Sequence, residues 1–476
     1  MKEIKYYASN IDPNLLKTIS GRPGELIELI LSGNYLNEKT VAEKLFKGKW
    51  SDQNFRNVKA RAKQILSAYM LVSPTKKNKK LQTQLLKSRK ALLIAMYLIE
   101  KYKRKEATKF LRKSYKIAIK YGFTRIAHDC TVQLMASAAM ERKKRSFIYY
   151  SKKMDILSRD MQAEDTAQYY YYKIALNVNT KRGVSSDVFA QYLSKLDAFS
   201  CNTITFIQFY YMICVLRDSN TLDYQAMKRS AGLAFGILHK RKGVYGSILQ
   251  FFTKNKAIAH MATREYEQAQ QLLSQSEQYA PPRSFNRGIL YFYQAINALY
   301  SGNYQIAYRL FRMNRKNQDE ILVEQWAVME AYLYFLRRIG KLDTGTDRFS
   351  LGKYLNQTTQ IKHDKTGNNI NILIGELLVY LVKNRGRFID RVEAINTYNY
   401  KYLKGKDTQR AKWFIRILCL LPRANFHPIA LQRIAKRQIE NLQNHPLCMG
   451  DNFAVEMIPF EDLLALLLLQ LEQRVA

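Results

Sequence analysis

Four cations, Lys105, Lys109, Arg112 and Lys116, follow one another at i, i+4, i+7 and i+11. That spacing lines one face of a helix. A denser group stands upstream: Lys76, Lys77, Lys79 and Lys80. The chemistry open to such side chains is charge neutralisation, with lysine as a compact point charge and arginine as a planar fork, both suited to phosphate oxygens. The excess is local. The 476-residue chain holds 77 Lys and Arg against 39 Asp and Glu, a formal +38, and residues 51–150 hold 25 basic and 5 acidic side chains, a net of +20. A lysine-rich bias would spread charge evenly over solvated faces, whereas concentration is the electrostatic footprint of a polyanion contact. Charge alone fits both, and backbone contacts carry no base information.

A second basic row, Arg56, Lys59 and Lys63, runs at i, i+3 and i+7. The apolar residues Phe55, Val58, Ala62, Ile65 and Leu66 form the other stripe of the same predicted helix, 51–70. Ser51 suits its N-cap, and Asp52 suits the positive end of its dipole. A shorter helix over 37–46 and a tight turn at 47–50 precede it. Helix, turn and basic helix make the pattern of a helix-turn-helix, with the second helix in a major groove. The opening hairpin of any helical array has the same pattern.

Bond-making chemistry finds little support. No phosphate-loop, dinucleotide-binding, nucleophile-elbow or zinc-protease motif occurs. His128, Asp129 and Cys130 are adjacent, but neighbours on a helix point about 100° apart and do not converge unaided. A packed helical His and Cys is the simpler reading. The five cysteines, Cys130, Cys201, Cys214, Cys419 and Cys448, are scattered without a C-x-x-C pair and fit buried thiols of a reducing compartment. The expectation is a non-enzyme with no cofactor and no metal.

The elements that must carry these cations are helices. Glycine and proline are few, at 20 and 9, and long stretches such as 87–121 and 286–338 place apolar residues at i, i+3 and i+4. One signature occurs twice, 38 residues apart: Ala257, Tyr266, Ala269, Leu273 and then Ala295, Tyr304, Ala307, Phe311. A weaker third copy is Ala95, Ala107, Leu111 and Ser114, with Arg104 where the aromatic stands. A small residue is needed where two helices cross at about 9 Å. These positions resemble the tetratricopeptide repeat. The resemblance implies an all-α, tetratricopeptide-like α-solenoid of antiparallel helix pairs, each burying its apolar face on the next.

The chain reads in three parts. Residues 1–74 are the N-terminal helical segment, 75–342 the repeat array, and 343–476 a helical C-terminal region and cap. Tyr149-Tyr150 and Tyr169-Tyr170-Tyr171-Tyr172 lie among lysines, a pattern that suits stacking on single-stranded bases. At least half of a helical four-residue run must face inward, so packing is the favoured reading. The last part carries Asp364-Lys365-x-Gly367-x-Asn369, then 411–418, then Ile458-Pro459-Phe460-Glu461 before an apolar helix. These strings are similar to the C-terminal half of a group of uncharacterised bacterial repeat proteins, where tryptophan is common at the place of Leu464. Gly367 suits a loop at positive φ and Asn369 a helix cap. Leu463, Leu464, Leu467 and Leu468 make the stripe expected of a capping helix.

The N-terminal residues show no export signal, and the apolar run 463–469 is too short to span a bilayer. Cytoplasmic location and no membrane insertion are expected. Function is expected to be that of a scaffold or adaptor holding a protein or peptide partner in its groove. The alternative is a nucleic-acid-associated protein using residues 51–150.

Overall fold

The i, i+3, i+4 pattern becomes helix after helix. The computed structural model describes all residues except 10, 33–36, 49–50, 73–79, 179–183, 315–319, 346–347, 359–367, 404–407, 450–455 and 474–476. It is all-helical, with 24 α-helices and no strand among the described residues. The chain divides into two compact units, Met1–Gln162 and Ala163–Ala476.

The first unit opens with α1 (Lys2–Ser9), α2 (Pro13–Leu16), α3 (Gly21–Leu31), α4 (Glu38–Phe46) and α5 (Asp52–Val72). Asn37 caps α4 by accepting the Lys39 N–H at 3.1 Å, and Ser51 Oγ accepts the Asn54 N–H at 3.3 Å ahead of α5. Phe55, Ala62 and Leu66 are buried on α5, and with Ile4, Leu26, Ile27 and Val41 they close a core local to these helices. Then come α6 (Lys80–Glu100), α7 (Arg104–Tyr121), α8 (Thr124–Met140) and α9 (Lys144–Val178), within which the division between the units falls. Ala95, Ala107, Leu111 and Ser114 are all buried. Ser114 Oγ donates to Ser88 O at 2.8 Å across the α6–α7 contact, an approach that small side chains permit.

The second unit holds α10 (Ser186–Asp197), α11 (Ile204–Asn220), α12 (Tyr224–Leu238), α13 (Gly246–Ala262), α14 (Tyr266–Ser276), α15 (Phe285–Tyr300), α16 (Tyr304–Asn314) and α17 (Glu320–Arg338). After these stand α18 (Leu351–Thr358), α19 (Asn368–Lys383), α20 (Arg385–Tyr402), α21 (Gln409–Leu420), α22 (Pro428–Ile434), α23 (Lys436–Gln443) and α24 (Phe460–Glu472). Ala257, Ala269, Leu273, Ala295, Ala307 and Phe311 are buried, with Tyr266 and Tyr304 half-buried beside them. Gly375 on α19 admits α17 and α18: a Cβ there would lie 3.3 Å from that of Ala331 and 2.8 Å from the Tyr354 hydroxyl.

Consecutive helices pack in adjacent pairs, and alternate helices also touch: α6 with α8, α11 with α13, α13 with α15, and α15 with α17. One turn recurs between consecutive helices. The N–H groups of Lys103, Lys143, Asp223, Glu265, Asn303 and Lys341 each reach back five residues, to the carbonyls of Leu98, Ala138, Asp218, His260, Ala298 and Leu336, at 2.8–2.9 Å. The residue before each donor sits at positive φ: Tyr102, Arg142, Leu222, Arg264, Gly302 and Gly340. This is the Schellman ending, which satisfies orphan carbonyls at a helix end.

Candidate polyanion-binding surface

Helix α7 positions the first cation row. Its inner face is fixed by Ala107, Leu111, Ser114 and Ala118, all buried. Lys105, Lys109, Arg112 and Lys116 therefore point outward, and all four are exposed. None of them forms an ion pair among the described residues. The turn into α9 lies close by. The Glu141 carboxyl is held below its ordinary value, first by the Lys143 ammonium at 2.5 Å and further by the fields of Lys105 and Arg112.

Tyrosines border the same row. Tyr115, one residue from Lys116, packs edge-on against Tyr150 of α9 at 6.4 Å between ring centroids, and the neighbouring Tyr149 lies 5.2 Å from Tyr150, also edge-on. Burial pushes the Tyr115 phenol up to about 12, with the two neighbouring phenols adding to the shift. Tyr149 itself is 51% exposed, and Lys153 stands 6.0 Å from its ring centroid. Tyr102, in the turn that starts α7, is 89% exposed. The tyrosine runs thus split. Tyr150 lies inward against Tyr115, Tyr170 stacks on Tyr192 at 4.2 Å, and Tyr171 packs on Phe209, while Tyr149, Tyr169 and Tyr172 are exposed.

The other sequence-predicted cations are placed differently. Lys59 reaches both carboxylate oxygens of Glu38 at 2.7 and 2.8 Å, and Lys63 pairs with Glu3. Both are thereby tied inside the N-terminal bundle, and Arg56 is the exposed member of that row. Lys76, Lys77 and Lys79 lie outside the described residues, as does the side chain of Lys80. So does Gly367.

His128 and Cys130 do not converge. His128 Nε2 meets Ser158 Oγ at 3.2 Å, while Cys130 is buried, with desolvation pushing its thiol up to about 11. A thiol so raised is a poor nucleophile. The same burial raises Cys214 to about 12 and Cys419 to about 11. Among the described residues no three His, Cys, Asp or Glu side chains gather as a metal site. No helix of the described residues is long and apolar enough to cross a membrane.

The densest polar cluster belongs to the second unit, and sequence reasoning missed it. Arg410 at the start of α21 donates from Nε to Glu456 Oε1 at 2.6 Å and from Nη1 and Nη2 to the Glu461 carboxylate at 2.7 and 2.5 Å. Nη1 also reaches the carbonyls of Leu442 and His445. Glu456 accepts the Phe460 N–H at 2.9 Å, and its carbonyl takes the Tyr300 hydroxyl at 2.6 Å. Nearby, Tyr224 donates to Leu447 O and accepts from Met449 N–H, both at 2.8 Å. Leu463, Leu464 and Leu467 are buried against this part of the core, with Leu468 half-buried. The arrangement clamps α24, Glu456, Leu447 and Met449 onto α12, α15 and α21. A lone arginine and two glutamates five residues apart carry no periodic signal by which to find it.

No family model, curated protein or solved structure matches the chain.

Proposed function

We propose that this protein is a non-enzymatic helical-repeat scaffold, a tetratricopeptide-like solenoid that holds an anionic macromolecule on its first unit. Support for the repeat reading comes from the recurring Schellman turn, the buried small residues at Ala257, Ala269, Ala295 and Ala307, and the contacts between alternate helices. Units that bury their faces on each other in this way make stacked arrays. The observation that carries the partner class is the α7 row: four exposed cations with no ion-pair partner among the described residues.

A peptide partner held by the second unit has less support. Tyr224 and Tyr300 are buried, with their hydroxyls bonded to Leu447, Met449 and Glu456 of the chain itself. The test is retention on immobilised heparin. A variant carrying Lys105→Gln, Lys109→Gln, Arg112→Gln and Lys116→Gln should elute at clearly lower salt than the native protein, because fewer counterions are displaced. Equal elution, with an unchanged circular dichroism spectrum, would remove the polyanion reading.

A further inference from the structure

We propose that the surface formed by α7 and the start of α9 binds single-stranded nucleic acid, with Tyr149 as a base-stacking platform and the α7 cations as the phosphate track. This rests on the reading of unit 1 as a polyanion-binding surface and names the partner. Two requirements define such a site: a positive track for the backbone, and aromatic faces open to unpaired bases. The first is Lys105, Lys109, Arg112 and Lys116, which at 1.5 Å per residue extend over about 16 Å of helix. The second is Tyr149, placed beside the track because its neighbour Tyr150 packs on Tyr115 of α7, and half-open to solvent. Lys153 lies at its ring, so the platform carries its own charge. Tyr102 offers a second open ring where the track begins.

The competing polyanions fit less of this. A duplex hides its base faces in its own stack, so exposed tyrosines beside the track would gain nothing from it. An acidic protein would pair with the cations but has no use for ring faces flanked by charge. Tyr149 packs edge-on to Tyr150 at 5.2 Å, yet about half of it stays open to solvent, more than that contact uses.

The experiment measures binding of the full-length protein to four fluorescent probes by anisotropy at low salt: oligodeoxythymidylate, oligouridylate, a mixed-sequence duplex and polyglutamate. Both single strands should bind more tightly than the duplex, and the ratio of the two separates DNA from RNA as the preferred strand. Tyr149→Ala should weaken single-strand binding about tenfold, the loss of one base stack, and leave duplex binding unchanged. Tyr149→Trp should restore it. The quadruple glutamine variant should lower the slope of log affinity against log salt by about 0.7 per lost contact. Single-strand binding that ignores Tyr149→Ala, or duplex binding as tight as single-strand binding, overturns the proposal while the polyanion reading stands. Tight polyglutamate binding with no nucleic-acid binding does the same and assigns an acidic protein partner. If no probe binds, both readings fall together.

Discussion

Replacing Arg410 with methionine removes the guanidinium that compensates Glu456 and Glu461. Arg410 is 5% exposed and Glu456 is 7% exposed, so the pair is dry. Without arginine, Glu456 keeps only the Phe460 N–H for its carboxylate. Breaking a buried pair from one side costs roughly 3–5 kcal/mol, because the remaining charge is left uncompensated. A unit spanning Ala163–Ala476 has an unfolding entropy of about 0.7 kcal/mol per kelvin, so its thermal midpoint should fall by about 5–8 °C. The pH dependence identifies the cause. Burial already pushes the Glu456 carboxyl up, against the opposing pull of Arg410, and removing the guanidinium pushes it further. An acid raised by folding is penalised above its folded pKa and relieved as pH falls towards its unfolded value. The variant should therefore recover part of the lost stability at mildly acidic pH relative to the native protein. Adding Glu456→Gln should recover most of it at neutral pH. The assay is thermal unfolding followed by circular dichroism across pH. An Arg410→Met midpoint equal to that of the native protein, with the same pH profile, would refute the buried clamp.

Ala307 is fully buried between a pair of helices, so Ala307→Leu should destabilise by about 1–3 kcal/mol through overpacking, read as a lowered urea midpoint; an unchanged midpoint would mean that no crossing lies there. His260 meets Glu265 at 2.5 Å, yet burial holds its imidazole below its ordinary value. A base depressed by folding contributes stability above its unfolded pKa that is lost as pH falls through about 6.5 and below, so His260→Gln should flatten the acid side of the stability profile above the range where carboxylates titrate.

The helices were legible because their inner faces follow the 3.6-residue period, and the small residues of two repeats were legible because Ala269 and Ala307 keep the same place. The turn between Asp218 and Asp223 was not. There, Tyr224 stands where Tyr266 and Tyr304 stand, but Met227 replaces the small residue and Ala231 the large one, so the sizes are exchanged and the pattern disappears. Four of these turns put Tyr102, Arg142, Leu222 or Arg264 at positive φ, where a reader of sequence looks for glycine. The ion pairs of the second basic row were not legible for a different reason. Its partners Glu38 and Glu3 lie 21 and 60 residues away from Lys59 and Lys63, and no periodicity joins them.

That contrast bears on what the α7 row is for. Several cations that serve the fold have a carboxylate: Lys59 with Glu38, Lys228 with Glu265, Arg287 with Glu277, Arg391 with Glu376 and Arg410 with two. On α7, Lys105 faces Lys109 and Arg112 faces Lys116 at i, i+4, with Lys109 and Arg112 at i, i+3. Like charges so placed destabilise a helix by about 0.2–0.5 kcal/mol per pair. The free protein thus carries a repulsion of the order of 1 kcal/mol on this one face, and a phosphate backbone laid along it would turn that repulsion into attraction. An exposed row that opposes its own helix is the feature on which the proposed polyanion partner rests.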